Sequence, residues 1–157
     1  AGTPPRVAGR SVVNGGVSGE TSAGALARLD WVLRQPFDVL VLETGANDML
    51  RGQPPEATEA NIQAMIDQVR DVRPEARIVL AGMRAAPNLG SAYVREFEAI
   101  YPRVAERNGL VLIPFLLEGV AAVPDLNQTD GMHPNPEGHR RIADHLWETL
   151  EPVLTRD

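Results

Sequence analysis

Val39-Leu40-Val41-Leu42 is an unbroken apolar run, set off by Pro36 before it and Gly45 beyond it. Its shortness and the glycine that follows mark a strand covered on both faces, the pattern of a parallel sheet. Working outward, three more short apolar runs share the signature: Ser11-Val12-Val13-Asn14, ended by Gly15-Gly16; Ile78-Val79-Leu80-Ala81; and Leu110-Val111-Leu112-Ile113. Helical periodicity fills the gaps between them. Leu26, Leu29 and Leu33 share a face of a helix over 23–33, for which Thr21 or Ser22 can act as cap. Ile62, Met65, Ile66 and Val69 follow the i, i+3, i+4, i+7 pattern in a helix over about 56–72. Tyr93, Phe97, Ile100 and Val104 line a helix over about 91–107, which Pro102 should kink and Asn108-Gly109 should stop. A weak short helix is expected over 116–123. The last helix starts at Pro136 behind an Asn135 cap and buries Ile142, Leu146, Leu150 and Val153. Strands alternating with helices imply βα units, right-handed crossovers and an α/β fold with helices on both faces of a parallel sheet.

The 157 residues suit one domain with a single sizeable core, and 43% hydrophobic with 23% charged content is ordinary for a globular protein. Net charge is −6, the basic side chains are arginines, and no basic run occurs, which argues against a nucleic-acid partner. No apolar run is long enough to be an integral membrane segment. Residues 1–9 read as an irregular arm, and the opening residues 1–6 are polar and proline-rich and show no leader pattern, a picture that a cleaved leader would also leave. The absence of Cys excludes disulfides and thiolate metal sites.

In open α/β sheets ligands sit beyond the carboxyl ends of the strands. Three loops there carry unusual polar chemistry: 15–22, 44–48 and 130–133. In Asp130-Gly131-Met132-His133-Pro134-Asn135-Pro136 the two prolines forbid regular structure, and an acid stands three residues before a histidine. A carboxylate that accepts from a histidine ring fixes its tautomer and steadies its positive charge, as acyl-transfer chemistry requires of a base and its orienter. The plainer alternative is a loop acid capping backbone N–H groups. Asn47, directly after a buried strand, is a suitable oxyanion donor, or else half of an Asn47-Asp48 turn pair. Gly19 can offer a backbone N–H to the same oxyanion, or simply make a turn. Met49, Leu50, Phe115, Leu116 and Leu117 are candidates for an apolar acyl-binding surface, with ordinary packing as the alternative. His133, His139 and His145 form no ligand cluster with an acid pair, so neither a metal nor another cofactor is expected.

Val13-Asn14-Gly15-Gly16-Val17-Ser18-Gly19-Glu20-Thr21-Ser22, Glu43-Thr44-Gly45-Ala46-Asn47-Asp48 and Asp130-Gly131-Met132-His133-Pro134-Asn135 resemble, in order and spacing, three of the four blocks of the SGNH (GDSL-type) hydrolases. The segments 82–90 and 99–102 are similar to the bacterial arylesterase, thioesterase I and lysophospholipase L1 subgroup. The resemblance implies a flavodoxin-like three-layer sandwich and a serine hydrolase of carboxylic esters or thioesters. It makes Gly19 and Asn47 the oxyanion donors, His133 the base and Asp130 its partner. It also implies a periplasmic or secreted location, although the residues themselves leave the compartment open. Carbohydrate deacetylation, acyl transfer, and mere binding of acyl ligands by a nucleophile-less fragment are the alternatives.

The family's Gly-Asp-Ser block has no counterpart here, and none of Ser11, Ser18, Ser22 or Ser91 is assigned as nucleophile. The expectation is therefore a single domain over 1–157 that is N-terminally incomplete. Its first strand, in the sheet order 2-1-3-4-5, belongs between the run at 11–14 and the one at 39–42. An N-terminal fragment or an exchanged segment of a second copy is expected to fill that gap.

Overall fold

The computed structural model describes residues 6–7 and 9–155. Strands β1 (Arg6–Val7) and β2 (Arg10–Ser11) form a small antiparallel hairpin. Strands β3 (Val39–Leu42), β4 (Arg77–Ala81) and β5 (Val111–Ile113) form a parallel sheet in the order β3-β4-β5. Helices α1 (Ser22–Leu33), α2 (Ala46–Leu50), α3 (Pro55–Val72), α4 (Ser91–Asn108) and α5 (Pro136–Thr155) complete the chain.

The strand period of two sorts the core onto two faces. Ile78 and Leu80 of β4 pack with Leu29 and Leu33 of α1, Ile62, Met65, Ile66 and Val69 of α3, and Phe97, Ile100 and Val104 of α4. Val79 and Ala81 point the other way, onto Ile113 and onto Leu146, Leu150 and Val153 of α5. The result is the expected three-layer α/β sandwich. The α3 stripe forecast from spacing is fully inside, and each such side chain stabilises by roughly 1.5–3 kcal/mol. Thr21 caps α1 by accepting from the Gly24 N–H at 3.3 Å. Asn135 caps α5 through Gly138, and Gly109 ends α4 in the left-handed conformation.

Four expectations need correction. Residues 1–9 were expected to be an irregular arm, yet 6–7 pair with 10–11; residues 1–5 and 8 lie outside the described set. The run 11–14 is not a sheet strand: only Ser11 is in a strand, and Val12, Val13 and Asn14 are exposed and irregular. A cavity of about 1050 Å³, lined by both segments, separates this run from β3, so its main chain has no ladder to join. For the same reason β3 is not covered on both faces: Val41 is 40% exposed, while β4 is buried from Ile78 to Ala81. The helix expected over 116–123 is a series of turns, because Gly119 and Ala122 adopt left-handed φ values of 74° and 61°. The short helix α2, in turn, has too few residues to leave a periodic signal.

Gly45 initiates α2 with φ 111°, and a Cβ there would lie 2.1 Å from the Tyr101 hydroxyl, which itself donates to the Thr44 carbonyl at 2.7 Å. Gly45→Ala is thus expected to destabilise the fold by about 3 kcal/mol or more, from backbone strain plus the clash. With Tyr101→Phe the nearest ring atom recedes to 3.4 Å. The double variant should therefore recover part of the loss in thermal unfolding. Strict additivity of the two changes would show that the hydroxyl is not the obstacle.

Candidate active site

Parallel strands deliver the loops after β3 and β5 to the same edge of the sheet. The β5 loop carries Asp130 and His133. Its course is fixed by main-chain bonds from Gln128 N–H to His133 O (2.7 Å) and from Asn135 N–H to Leu126 O (3.0 Å), and by Asn135 Nδ2, which donates to Asp125 O (2.8 Å). Within it the Asp130 carboxylate does both things the sequence allowed. Oδ1 accepts from the Met132 and His133 N–H groups at 2.9 and 3.0 Å, and Oδ2 accepts from His133 Nδ1 at 2.6 Å.

The His133 N–H first, then its ring, then the Met132 N–H hold the Asp130 carboxyl down to about 2. An ionised carboxylate only accepts, so the Nδ1 facing it carries the proton and Nε2 is left as the basic nitrogen. Because the folded value is depressed, these contacts are fully present above the ordinary carboxyl value of 3.8 and are lost as pH falls through about 2. In a ¹³C titration the Asp130 carboxyl should have its midpoint nearer 2 than 3.8; a midpoint at the ordinary value would mean that the loop contacts do not form.

The second group is built on α1 and α2. Gly19, at φ 75°, precedes α1, and Arg51 Nη2 donates to its carbonyl at 3.0 Å. Asn47, in the first turn of α2, donates one Nδ2–H to the Glu20 carbonyl at 3.0 Å. An amide NH₂ has two donors, so one remains for a ligand. Arg28 closes the same loop, donating to Gly15 O at 2.6 Å and to both Glu20 carboxylate oxygens at 2.5 and 2.8 Å. Gly19 and Asn47 are thereby brought together, as are Asp130 and His133, and both pairs stand at the carboxyl edge of the sheet. Among the described residues no serine hydroxyl bonds to His133. Ser22 is committed to Asp48 at 2.5 Å.

Of the acyl-surface candidates, Leu50 is 61% exposed. Met49 is 8% exposed and sits in the core with its sulfur beside the Ala86 N–H, so it packs rather than lines a surface. Phe115 lies half-buried under the Arg84 guanidinium, 4.7 Å from the ring centre, and half-buried Leu116 and Leu117 pack onto core clusters. His145 meets the Phe115 carbonyl at 3.1 Å and His139 is exposed. Among the described residues no three His, Cys, Asp or Glu converge into a metal-binding group, and no helix is long and apolar enough to cross a membrane. Sequence reasoning missed Asp48 as more than a turn residue, and missed Arg28 and Arg51 altogether. Only the fold shows what their side chains reach.

Residues 3–141 match the model of the GDSL-like lipase/acylhydrolase family. The chain belongs to that family. It is 40% identical over 144 residues to the "Esterase TesA" of Pseudomonas aeruginosa, covering 91% of this chain and 71% of the relative. It is also 40% identical over 149 residues to the "Thioesterase 1/protease 1/lysophospholipase L1" of Escherichia coli, covering 94% and 70%. Among solved structures, the psychrotrophic esterase EstA from Pseudoalteromonas sp., inhibited by monoethylphosphonate, superimposes with a TM-score of 0.85 at 32% identity, covering 92% of this chain and 78% of that one. For a GDSL-like chain, an imidazole held at Nδ1 by a carboxylate is what acyl transfer from an ester requires of its base.

Proposed function

We propose that the protein hydrolyses carboxylic esters or thioesters of small to medium acyl groups through an acyl-enzyme. His133 is the general base, Asp130 its orienter, and Gly19 N–H with Asn47 Nδ2 the oxyanion hole. The 2.6 Å bond between His133 Nδ1 and Asp130 at the carboxyl edge of the sheet carries this reading. In the reaction, Nε2 takes the proton of a serine hydroxyl as its oxygen attacks the acyl carbonyl. The oxyanion rests on the two N–H donors, and the imidazolium returns its proton to the departing alkoxide or thiolate. Water, activated by the same nitrogen, then releases the acid.

The serine, in this proposal, arrives on an extended N-terminal segment that pairs with the free edge of β3. Three observations support the placement. Among the described residues the edge of β3 opposite β4 pairs with no other strand, and a strand so placed presents unpaired N–H and C=O groups. The cavity of about 1050 Å³ runs along that edge and is lined by α1 and by Leu150 and Leu154 of α5, so a strand laid there is covered on both faces. It continues to Gly45, Asn47, Ser18 and Glu20, so such a strand ends at the oxyanion loop. A segment exchanged from a second copy is the competing occupant, and the mass of the active species in solution separates the two.

Hydrolysis of p-nitrophenyl acetate, butyrate and longer esters by the active protein tests the reaction, with acetylated sugars and acyl-thioesters run beside them. Absence of ester turnover, or turnover confined to acetylated sugars, would overturn the reading.

A further inference from the structure

Asp48 is an acid that the proposed chemistry does not use, yet it is 2% exposed. A buried carboxylate is costly unless its oxygens are satisfied. Here Oδ1 accepts from the Ser22 N–H at 2.7 Å, and Oδ2 accepts from the Ser22 hydroxyl at 2.5 Å and the Thr58 hydroxyl at 2.8 Å. Asn61 Nδ2 donates to the Ser22 hydroxyl at 3.0 Å, and Ser22 and Thr58 are themselves fully buried. All these donors are neutral, and none of the bonds to Asp48 comes from an arginine.

The placement is specific. Ser22 is the first residue of α1, and Asp48 lies in the short α2, so a carboxylate from one segment meets the N-terminal end of the other. Three residues before Ser22 is Gly19, and immediately before Asp48 is Asn47. The Asn47 side chain already reaches back to Glu20. Thr58 adds a third element, α3, whose fully buried face is anchored in the core. The clamp thus joins the two segments that hold the oxyanion donors and ties both to the rigid body of the sandwich.

We infer that Asp48 is a positioning residue that sets the separation of the Gly19 N–H and the Asn47 amide, with Ser22, Thr58 and Asn61 as its partners. The inference rests on the oxyanion role proposed for Asn47 and adds the part that holds it. Oxyanion donors must fall about 2.7–3.1 Å from the developing charge, and a displacement of about 1 Å can cost on the order of 10²-fold in rate.

The test pairs substitutions that change the clamp with substitutions that restore it. Asp48→Asn should lower kcat on p-nitrophenyl butyrate on the order of 10²-fold with KM changed less than about twofold. In an Asn47→Ala background the same change should add almost nothing, because Asp48 acts through Asn47. Thr58→Val removes one hydroxyl without changing shape and should lower kcat by about 3- to 10-fold, while Thr58→Ser keeps the hydroxyl and should stay within about twofold of the parent. Multiplying effects of Asp48→Asn and Asn47→Ala, a change in KM alone, or a Thr58→Val variant as fast as the parent would overturn the inference. Should Asp48→Asn fail to fold, the Thr58 pair still decides. Solvent exchange of the Asn47 side-chain amide, read by NMR, needs no turnover: Thr58→Val should speed it on the order of tenfold and Thr58→Ser should not. Unchanged exchange refutes the clamp, whereas a parent without ester turnover refutes the proposed reaction and leaves the exchange result readable.

Discussion

Replacing His133 with alanine is expected to lower kcat for ester hydrolysis by about 10⁴- to 10⁶-fold, the cost of removing the base from a triad that works as a unit. Folding should be almost untouched, because the His133 side chain is 67% exposed and, among the described residues, bonds through its ring to Asp130 alone. The main-chain bonds of Met132 and His133 to Asp130 do not depend on the imidazole and keep the loop closed. Equal thermal midpoints with a collapsed kcat would place the loss in the chemistry. A variant that turns over near the parental rate would remove His133 from the mechanism, and with it the reason to read Asp130 as an orienter rather than a loop acid.

Replacing Asn47 with alanine is the next largest effect, about 10²- to 10³-fold in kcat with KM nearly constant. The side chain also holds the Glu20 carbonyl, and losing that bond costs about 1 kcal/mol of stability. That is too little to unfold a domain of ordinary stability and accounts for only a small part of the expected rate loss. The kcat effect therefore measures the N–H that is free in this structure rather than the one that is occupied. A rise in KM at constant kcat would instead make Asn47 a residue that binds the ground state.

Much of this arrangement was legible before the fold was known, for physical reasons that differ from element to element. The α3 stripe of Ile62, Met65, Ile66 and Val69 and the runs at Ile78–Ala81 and Val111–Ile113 follow from burial periodicity, which is local. Asp130 and His133 are three residues apart on a loop stiffened by proline, so their meeting is also nearly local. Three things were not legible. Val12, Val13 and Asn14 have the composition of a strand, but a strand exists only against a partner edge, and here the cavity lies between them and β3. Met49 and Leu50 both read equally as acyl-binding surface or as ordinary packing, and only the turn of α2 sends one inward and the other outward. Asp48 meets Ser22 and Thr58 across 26 and 10 residues, a convergence that no spacing rule encodes.

The sheet edge and the base meet in one measurement. The active protein is treated with a fluorophosphonate, which traps an activated serine, and the adduct is located by peptide mass spectrometry. The label is expected on a serine other than Ser11, Ser18, Ser22 and Ser91, carried at the end of an extended segment seated along β3, and it should vanish in the His133→Ala variant. A label on one of those four serines, or ester turnover that persists without any labelled serine, would contradict both the proposed delivery of the nucleophile and the role given to the cavity beside β3.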